Sequence, residues 1–202
     1  GASGRNNGQV IPILTAAEPD VWVKRYGAAG ERMVQLIGNS GNILFDLVRE
    51  FDMQAEAEAE QSGWFQPAHS PGRIALSKKR VETWQRYGFP AEFKTAQDSA
   101  DMLGTDFWYG GMHNPTGGHV NPLALARGMA KAAETLGATI HENSPVTSYA
   151  REGAHWLIKT PNGTLKARAL ILATNAYTGE LVPSLAPRLA KSIIPVLSWQ
   201  MA

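Results

Sequence analysis

The segment "NPLALARGMAKAAETLGATIHEN" (Asn121–Asn143) constrains the fold more than any other in the chain. Asn121 offers a side-chain oxygen that can cap a helix, and Pro122 suits the first helical position, where a missing N–H is no loss. Gly137 can take the left-handed conformation that ends a helix. Between them Leu125, Met129, Ala133 and Leu136 recur at three- and four-residue offsets, an apolar stripe on one helical face. "ATIHEN" then reads as a strand, so this stretch forms the helix-to-strand half of a βαβ crossover. "PVTSYAREG", "AHWLIKT" and "TLKARALILA" follow as successive strands, with "PNGT" (Pro161–Thr164) as a hairpin turn through Asn162–Gly163. The run Ala169–Ala173 is apolar on both faces, the pattern of a strand buried in a parallel sheet. Ligands in such sheets sit beyond the carboxyl ends of the strands, which puts Thr174 and Asn175 at a ligand-facing edge. The expected fold class is α/β (α+β).

Elsewhere the hydrophobic period changes. Glu18–Met53 is helical in pattern, with Tyr26, Met33, Ile37, Leu44, Leu47 and Phe51 as the apolar positions. Gly27, Gly30, Gly38 and Gly41 interrupt it, each at a cost of about 1 kcal/mol against alanine in a helix interior. A broken or bent helical hairpin is expected, either interrupted near Gly38–Gly41 or packed closely there. "AEAEAEQ" reads as a solvated polar stretch. "GWFQPAHSPGRIALSKK" reads as strand, turn and second strand (Arg73–Leu76). "SKKRVETWQRYGF" returns to helix through Val81, Trp84 and Tyr87, and "KTAQDSADMLG" is a short helix capped by Thr95. "FWYGGMHNPTGGHV" reads as strand, turn, strand. The expectation is a helix-and-sheet part with an inserted antiparallel part, the latter holding Arg73–Leu76 and Phe107–Met112 and rejoined by Ile193–Met201.

Composition removes several function classes. The 19 basic and 18 acidic residues are scattered and leave a net charge of +1, which argues against a nucleic-acid partner. The absence of cysteine excludes disulfides, thiolate metal sites, a catalytic thiol and a cysteine-tethered cofactor in this stretch, and fits a cytoplasmic protein. No apolar run approaches the ~20 residues of a membrane-spanning helix. Of the five histidines, His113 and His119 lie in one glycine-rich hairpin, yet no carboxylate or third histidine stands at ligand spacing, so no metal site is expected. Their ordinary reading is surface or hydrogen-bonded; the alternative is that they line a substrate pocket. Nucleophile elbows, phosphate-binding P-loops and zinc-protease motifs are absent.

The opening "GASGRNNGQ" remains to be explained. Three glycines in nine residues make it costly to order, while small residues let backbone N–H groups approach an anion. Ser3 and Arg5 add a hydroxyl and a guanidinium suited to a pyrophosphate. A merely flexible chain end is the alternative.

Taken in order, "GASGRNNGQ", "GGHVNPLALARGMAKAAETLGATIHENSPVTSY" and "ARALILATNAYTG" resemble the D-amino-acid oxidase/glycine oxidase (DAO) superfamily of FAD-dependent oxidoreductases, nearest its γ-glutamylputrescine oxidoreductase-type branch. The resemblance implies a partial FAD-binding Rossmann-like domain (1–53 and 118–180, first βαβ unit missing) with an inserted antiparallel-sheet substrate domain (54–117 and 181–202). It implies FAD contacts at Ala2, Ser3, Arg5, Asn6, Asn7 and Gly8, a backbone contact near the adenine at Val146, and a sheet edge against the dinucleotide at Ala173 and Thr174. The implied reaction is hydride transfer from a carbon beside an amine nitrogen to flavin, on a small amine or amino-acid substrate. No catalytic residue is assigned. The chain resembles the interior of a longer oxidoreductase, so the isolated stretch should hold FAD weakly or not at all and tend to self-associate. One departure stands out: the family has two glycines after the loop asparagine, whereas here Asn7 precedes Gly8, which leaves the turn to asparagine's tolerance of positive φ. Two other readings stay open, a non-catalytic binding module and a tRNA-modifying flavoenzyme of the same superfamily.

Overall fold

The computed structural model describes residues 2–14 and 17–178. The expected return strand Ile193–Met201 lies outside the described residues. The chain divides into two compact units, Gly1–Ala138 and Thr139–Ala202.

In the first unit the order is β1 (Gln9–Val10), α1 (Pro19–Tyr26), α2 (Ala28–Gly38), α3 (Ser40–Glu50), β2 (Trp64–Pro67), α4 (Ile74–Arg86), β3 (Glu92–Lys94), α5 (Ala96–Leu103), β4 (Gly111–Asn114), β5 (Gly118–His119) and α6 (Pro122–Thr135). Gly27 reverses the chain between α1 and α2 with φ +54°. Asn39, between α2 and α3, keeps a helical conformation (φ −89°, ψ −5°). Asn39 N–H closes α2 on Gln35 at 3.1 Å, Ile43 N–H opens α3 on Asn39 at 3.0 Å, and the Ser40 hydroxyl donates to the Ile37 carbonyl at 2.7 Å. So the helix is interrupted at Asn39, within the expected Gly38–Gly41 stretch, and a second reversal lies at Gly27. The two helices bury Gly30, Val34, Gly38, Gly41, Phe45 and Val48. A methyl group at Gly38 would enter the Phe89 ring, and one at Gly41 would meet the Thr116 carbonyl. The glycines therefore mark the packed face, because only there do ring and backbone come close. The expected stripe is displaced: Ile37, Leu44 and Phe51 pack at its side, while Tyr26, Met33 and Leu47 are exposed.

Beyond α3 the chain closes in a Schellman turn. Met53 N–H donates to Val48 at 2.8 Å and Asp52 N–H to Arg49 at 3.2 Å, with Asp52 at φ +51° and Val48 and Met53 in one apolar cluster. Contrary to the solvated reading of "AEAEAEQ", Ala57 and Ala59 are 1% and 4% exposed and join that cluster with Val10, Phe45 and Val120. Small side chains on alternate residues let the segment lie against the core while its glutamates face water.

Arg73–Leu76 is not a strand. Ser70 is extended, Pro71–Arg73 form a 3-10 turn, and α4 begins at Ile74; the Ser-Pro pair starts a helix instead of ending a hairpin. Trp84 and Met112, both fully buried, centre a second apolar cluster with Val34, Val81 and Phe89. Thr95 caps α5 through a capping box with Asp98, as expected. The antiparallel sheet is β2-β4-β3. Of Phe107–Met112 only Gly111 and Met112 are in a strand, and Phe107 is exposed. β4 and β5 do not pair with each other: β5 pairs with β1, Gln9 opposite His119. Asn121 caps α6, accepting from Ala124 N–H at 3.2 Å, and Gly137 follows its end at φ +91°. The buried residue of α6 is Gly128, against Met53, while Met129 and Leu136 of the expected stripe are exposed.

The second unit is an antiparallel meander of β6 (Ser148–Glu152), β7 (His155–Thr160) and β8 (Gly163–Ala167). Thr160 pairs with Gly163, so the turn residues are Pro161–Asn162 and Gly163 belongs to the strand. "ATIHEN" forms no strand, and neither does Ala169–Ala173, where Ile171 is 86% exposed. An apolar run becomes a strand only beside a partner, and among the described residues none pairs with either. The fold is mixed α/β, and every described strand pair is antiparallel.

Candidate cofactor loop and histidine cluster

The opening loop is built by its own side chains. Ala2–Gly4 is a 3-10 turn closed by Arg5 N–H donating to Ala2 at 3.0 Å. The Asn6 amide donates to the Ser3 carbonyl at 2.9 Å, and its oxygen accepts Gly8 N–H at 2.9 Å. Asn7 accepts Gln9 N–H at 3.2 Å. Gly8 is buried at φ +70°, and a methyl group there would collide with the Val120 carbonyl. Val120 N–H in turn donates to Gly8 at 2.9 Å. Gly4 lies against Leu123. The loop is thus fastened to the start of α6, and the positive φ falls on Gly8, not on Asn7. The asparagine–glycine order therefore leaves the turn intact.

Asn6 and Gly8 are occupied in making the loop, whereas Ala2, Ser3 and Arg5 are exposed on it. Among the described residues Arg5 forms no ion pair. A hydroxyl and a guanidinium on a fixed turn of small residues fit an anionic group such as a pyrophosphate. A shallow depression of 280 Å³ beside the loop is lined by Glu56, Asn121, Leu123, Ala124 and Arg127. In the second unit Val146 is exposed in the extended lead-in to β6. Ala173 is exposed, and the Thr174 hydroxyl is 2.7 Å from that of Thr178.

The two histidines occupy different sheets. His119, on β5, is largely exposed, with Ser62 Oγ 3.4 Å from its Nδ1 and Glu60 3.8 Å from its Nε2. His113 is central in β4, paired with Phe65 and Glu92. Its side chain is 14% exposed, its ring lies against Gly63, and its buried Nδ1 lacks a hydrogen bond, with Glu92 at 3.7 Å. Lys94 holds Glu92 at 2.7 Å. Burial above all, then the Lys94 charge, pushes the His113 pKa down, although Glu92 opposes both. The Lys94 hydrogen bond holds the Glu92 carboxyl below its usual range. His113 is therefore biased toward neutral imidazole. Glu92 and Lys94 escaped sequence reading, though their one-residue spacing on a strand was the available signal, since it places both on one face. Among the described residues no cluster of His, Asp or Glu could hold a metal ion, and no helix is long and apolar enough to cross a membrane.

Residues 1–202 match the profile of the FAD dependent oxidoreductase family, DAO. The chain belongs to that family. It is 31% identical over 197 residues to gamma-glutamylputrescine oxidoreductase of Escherichia coli strain K12, covering 96% of this chain and 44% of that protein. A probable oxidoreductase OrdL of Haemophilus influenzae is 28% identical over the whole chain and 47% of its own length. This DAO chain thus spans less than half the length of these relatives. Among solved structures, glycine oxidase from Geobacillus kaustophilus superposes with a TM-score of 0.72 at 20% identity, over 94% of this chain and 48% of that one, a likeness of fold. The family is FAD-dependent.

Proposed function

We propose that this chain is part of an enzyme that oxidises a C–N bond of a small amine or amino acid by hydride transfer to FAD. The observation that carries the reading is the family match over residues 1–202 together with an opening loop fastened to α6 that leaves the Ser3 and Arg5 side chains exposed. FAD, when bound, supplies the hydride acceptor. The protein supplies position: Arg5 and Ser3 would hold the pyrophosphate side, Ala2, Asn6, Asn7 and Gly8 shape the loop, and Val146, Ala173 and Thr174 belong to the same cofactor by resemblance. Residues 1–53 and 118–180 would form the FAD-binding domain, and 54–117 with 181–202 the substrate domain.

In the substrate domain His113 would line the pocket. A neutral imidazole beside the Glu92 carboxylate can take a hydrogen bond from a substrate ammonium while the carboxylate offsets its charge. His119, outward-facing, would stand at the rim. The isolated chain should bind FAD weakly, since its loop grips one side of a dinucleotide. The test is FAD affinity, by flavin fluorescence quenching, of the chain and of a longer protein containing it, each with Arg5→Ala. Micromolar or tighter binding by the longer protein, weakened by Arg5→Ala, supports the reading. Affinity indifferent to Arg5 overturns the assignment of the loop.

A further inference from the structure

Asn7 stands directly before Gly8, and an asparagine followed by glycine is chemically labile. Glycine has no side chain to shield its backbone nitrogen. That nitrogen attacks the asparagine Cγ, the Cγ–Nδ2 bond breaks, and ammonia leaves with the amide proton. Water then opens the cyclic imide at either carbonyl, giving aspartate or isoaspartate. The chain has two such pairs, Asn7–Gly8 in the opening loop and Asn162–Gly163 in the β7–β8 hairpin.

In the folded loop the two reacting groups are held differently. The Asn7 side chain is exposed, and its oxygen accepts Gln9 N–H at 3.2 Å, which polarises Cγ toward attack. The attacking atom is withheld. Gly8 N–H donates to Asn6 Oδ1 at 2.9 Å. Asn6 is itself braced, its amide donating to the Ser3 carbonyl at 2.9 Å and to the Ala2 carbonyl at 3.3 Å. Gly8 is buried at φ +70°, and its carbonyl accepts Val120 N–H at 2.9 Å, so the backbone on either side of the nitrogen is pinned. Attack requires Gly8 N to lose its proton and turn toward Asn7, and the bond to Asn6 opposes both. We propose that Asn7 is a latent deamidation site in the opening loop, masked by the hydrogen bond from Gly8 N–H to Asn6. On the cofactor reading above, conversion would set a carboxylate two residues from Arg5, where it opposes a pyrophosphate.

The test is peptide mapping by mass spectrometry of the longer protein containing residues 1–202 during incubation at mildly alkaline pH, with isoaspartate quantified separately. Asn7 should convert more slowly in the native protein than in the same protein unfolded in guanidinium chloride. Asn6→Ala removes the acceptor and should speed conversion at Asn7 by about twofold to about tenfold, the worth of one net hydrogen bond. Asn6→Asp keeps an acceptor oxygen in place and should convert at the wild-type rate. Asn162, exposed in the hairpin turn of the second unit, is the internal standard and should be unmoved by either variant. Native Asn7 converting as fast as unfolded Asn7 overturns the proposal. So does Asn6→Ala no faster than wild type, Asn6→Asp as fast as Asn6→Ala, or an acceleration shared equally by Asn162. The rates involve no flavin, so their failure leaves the cofactor reading, tested at Arg5, standing.

Discussion

Gly8 can be tested by a series of alanine substitutions that separates backbone conformation from contact. At Gly72 the backbone is unstrained and a methyl group meets nothing within 4 Å, so Gly72→Ala should be neutral, or stabilise by about 0.4–1 kcal/mol through the unfolded chain. Gly104 has φ +70° and open space around it, so Gly104→Ala should cost about 1–2 kcal/mol for the left-handed conformation alone. Gly8 shares φ +70° but faces the Val120 carbonyl, which is backbone and cannot swing aside. Its substitution adds an overpacking cost of about 1–3 kcal/mol, so Gly8→Ala should total about 2–5 kcal/mol. Urea unfolding followed by circular dichroism measures all three. The contact itself is the difference between Gly8→Ala and Gly104→Ala. If those two variants are equally destabilised, the loop is not seated on Val120 and the geometry assigned to it is wrong.

Two further outcomes follow from local features. Glu58 holds φ +46° at the end of the turn 54–58, with Ala59 N–H bonded to Gln54 at 3.1 Å; Glu58→Gly should raise stability by about 0.5–1 kcal/mol in thermal unfolding, and a loss would contradict the assigned turn. His113 has a folded pKa below the ordinary 6.5, so the unfolded chain takes up the proton first and stability declines as pH falls through that value. The melting temperature should drop between about pH 7 and about pH 5.5, above the range where the lowered carboxylates Asp20, Glu92 and Asp98 titrate, and His113→Gln should flatten that slope; an unchanged slope would assign it elsewhere.

Sequence patterns read well where a residue acts on its own neighbours. Asn121, Pro122 and Gly137 bound α6, and Thr95 starts α5, because capping is satisfied within one turn. The loop at Asn6–Gly8 was legible as a turn, but its positive φ falls on Gly8 rather than on Asn7. Patterns failed where the decisive partner is distant. Gly38 and Gly41 do flank an interruption, at Asn39, but which face turns inward is set by Phe89 and Thr116, far along the chain, and that leaves Met33 and Leu47 outside. Ala57 and Ala59 looked solvated because alternate alanines carry little hydrophobic signal, yet their size is what lets this turn segment enter the core. Ser70–Pro71 was legible and misassigned, since the same pair opens turns and helices. His113 was visible as a residue, but its burial and its Glu92–Lys94 company depend on the β3–β4 register.

The most direct test of the central claim is the anaerobic flavin spectrum of the longer protein containing residues 1–202 during titration with small amines and amino acids. An oxidised flavin band that at least one of them bleaches, with the corresponding imine or carbonyl product formed in equimolar amount, is the result expected for C–N oxidation by hydride transfer to FAD. A protein that carries equimolar FAD and is bleached by none of them would contradict the assignment of an amine or amino-acid substrate, and one that carries no flavin would contradict the account of the opening loop.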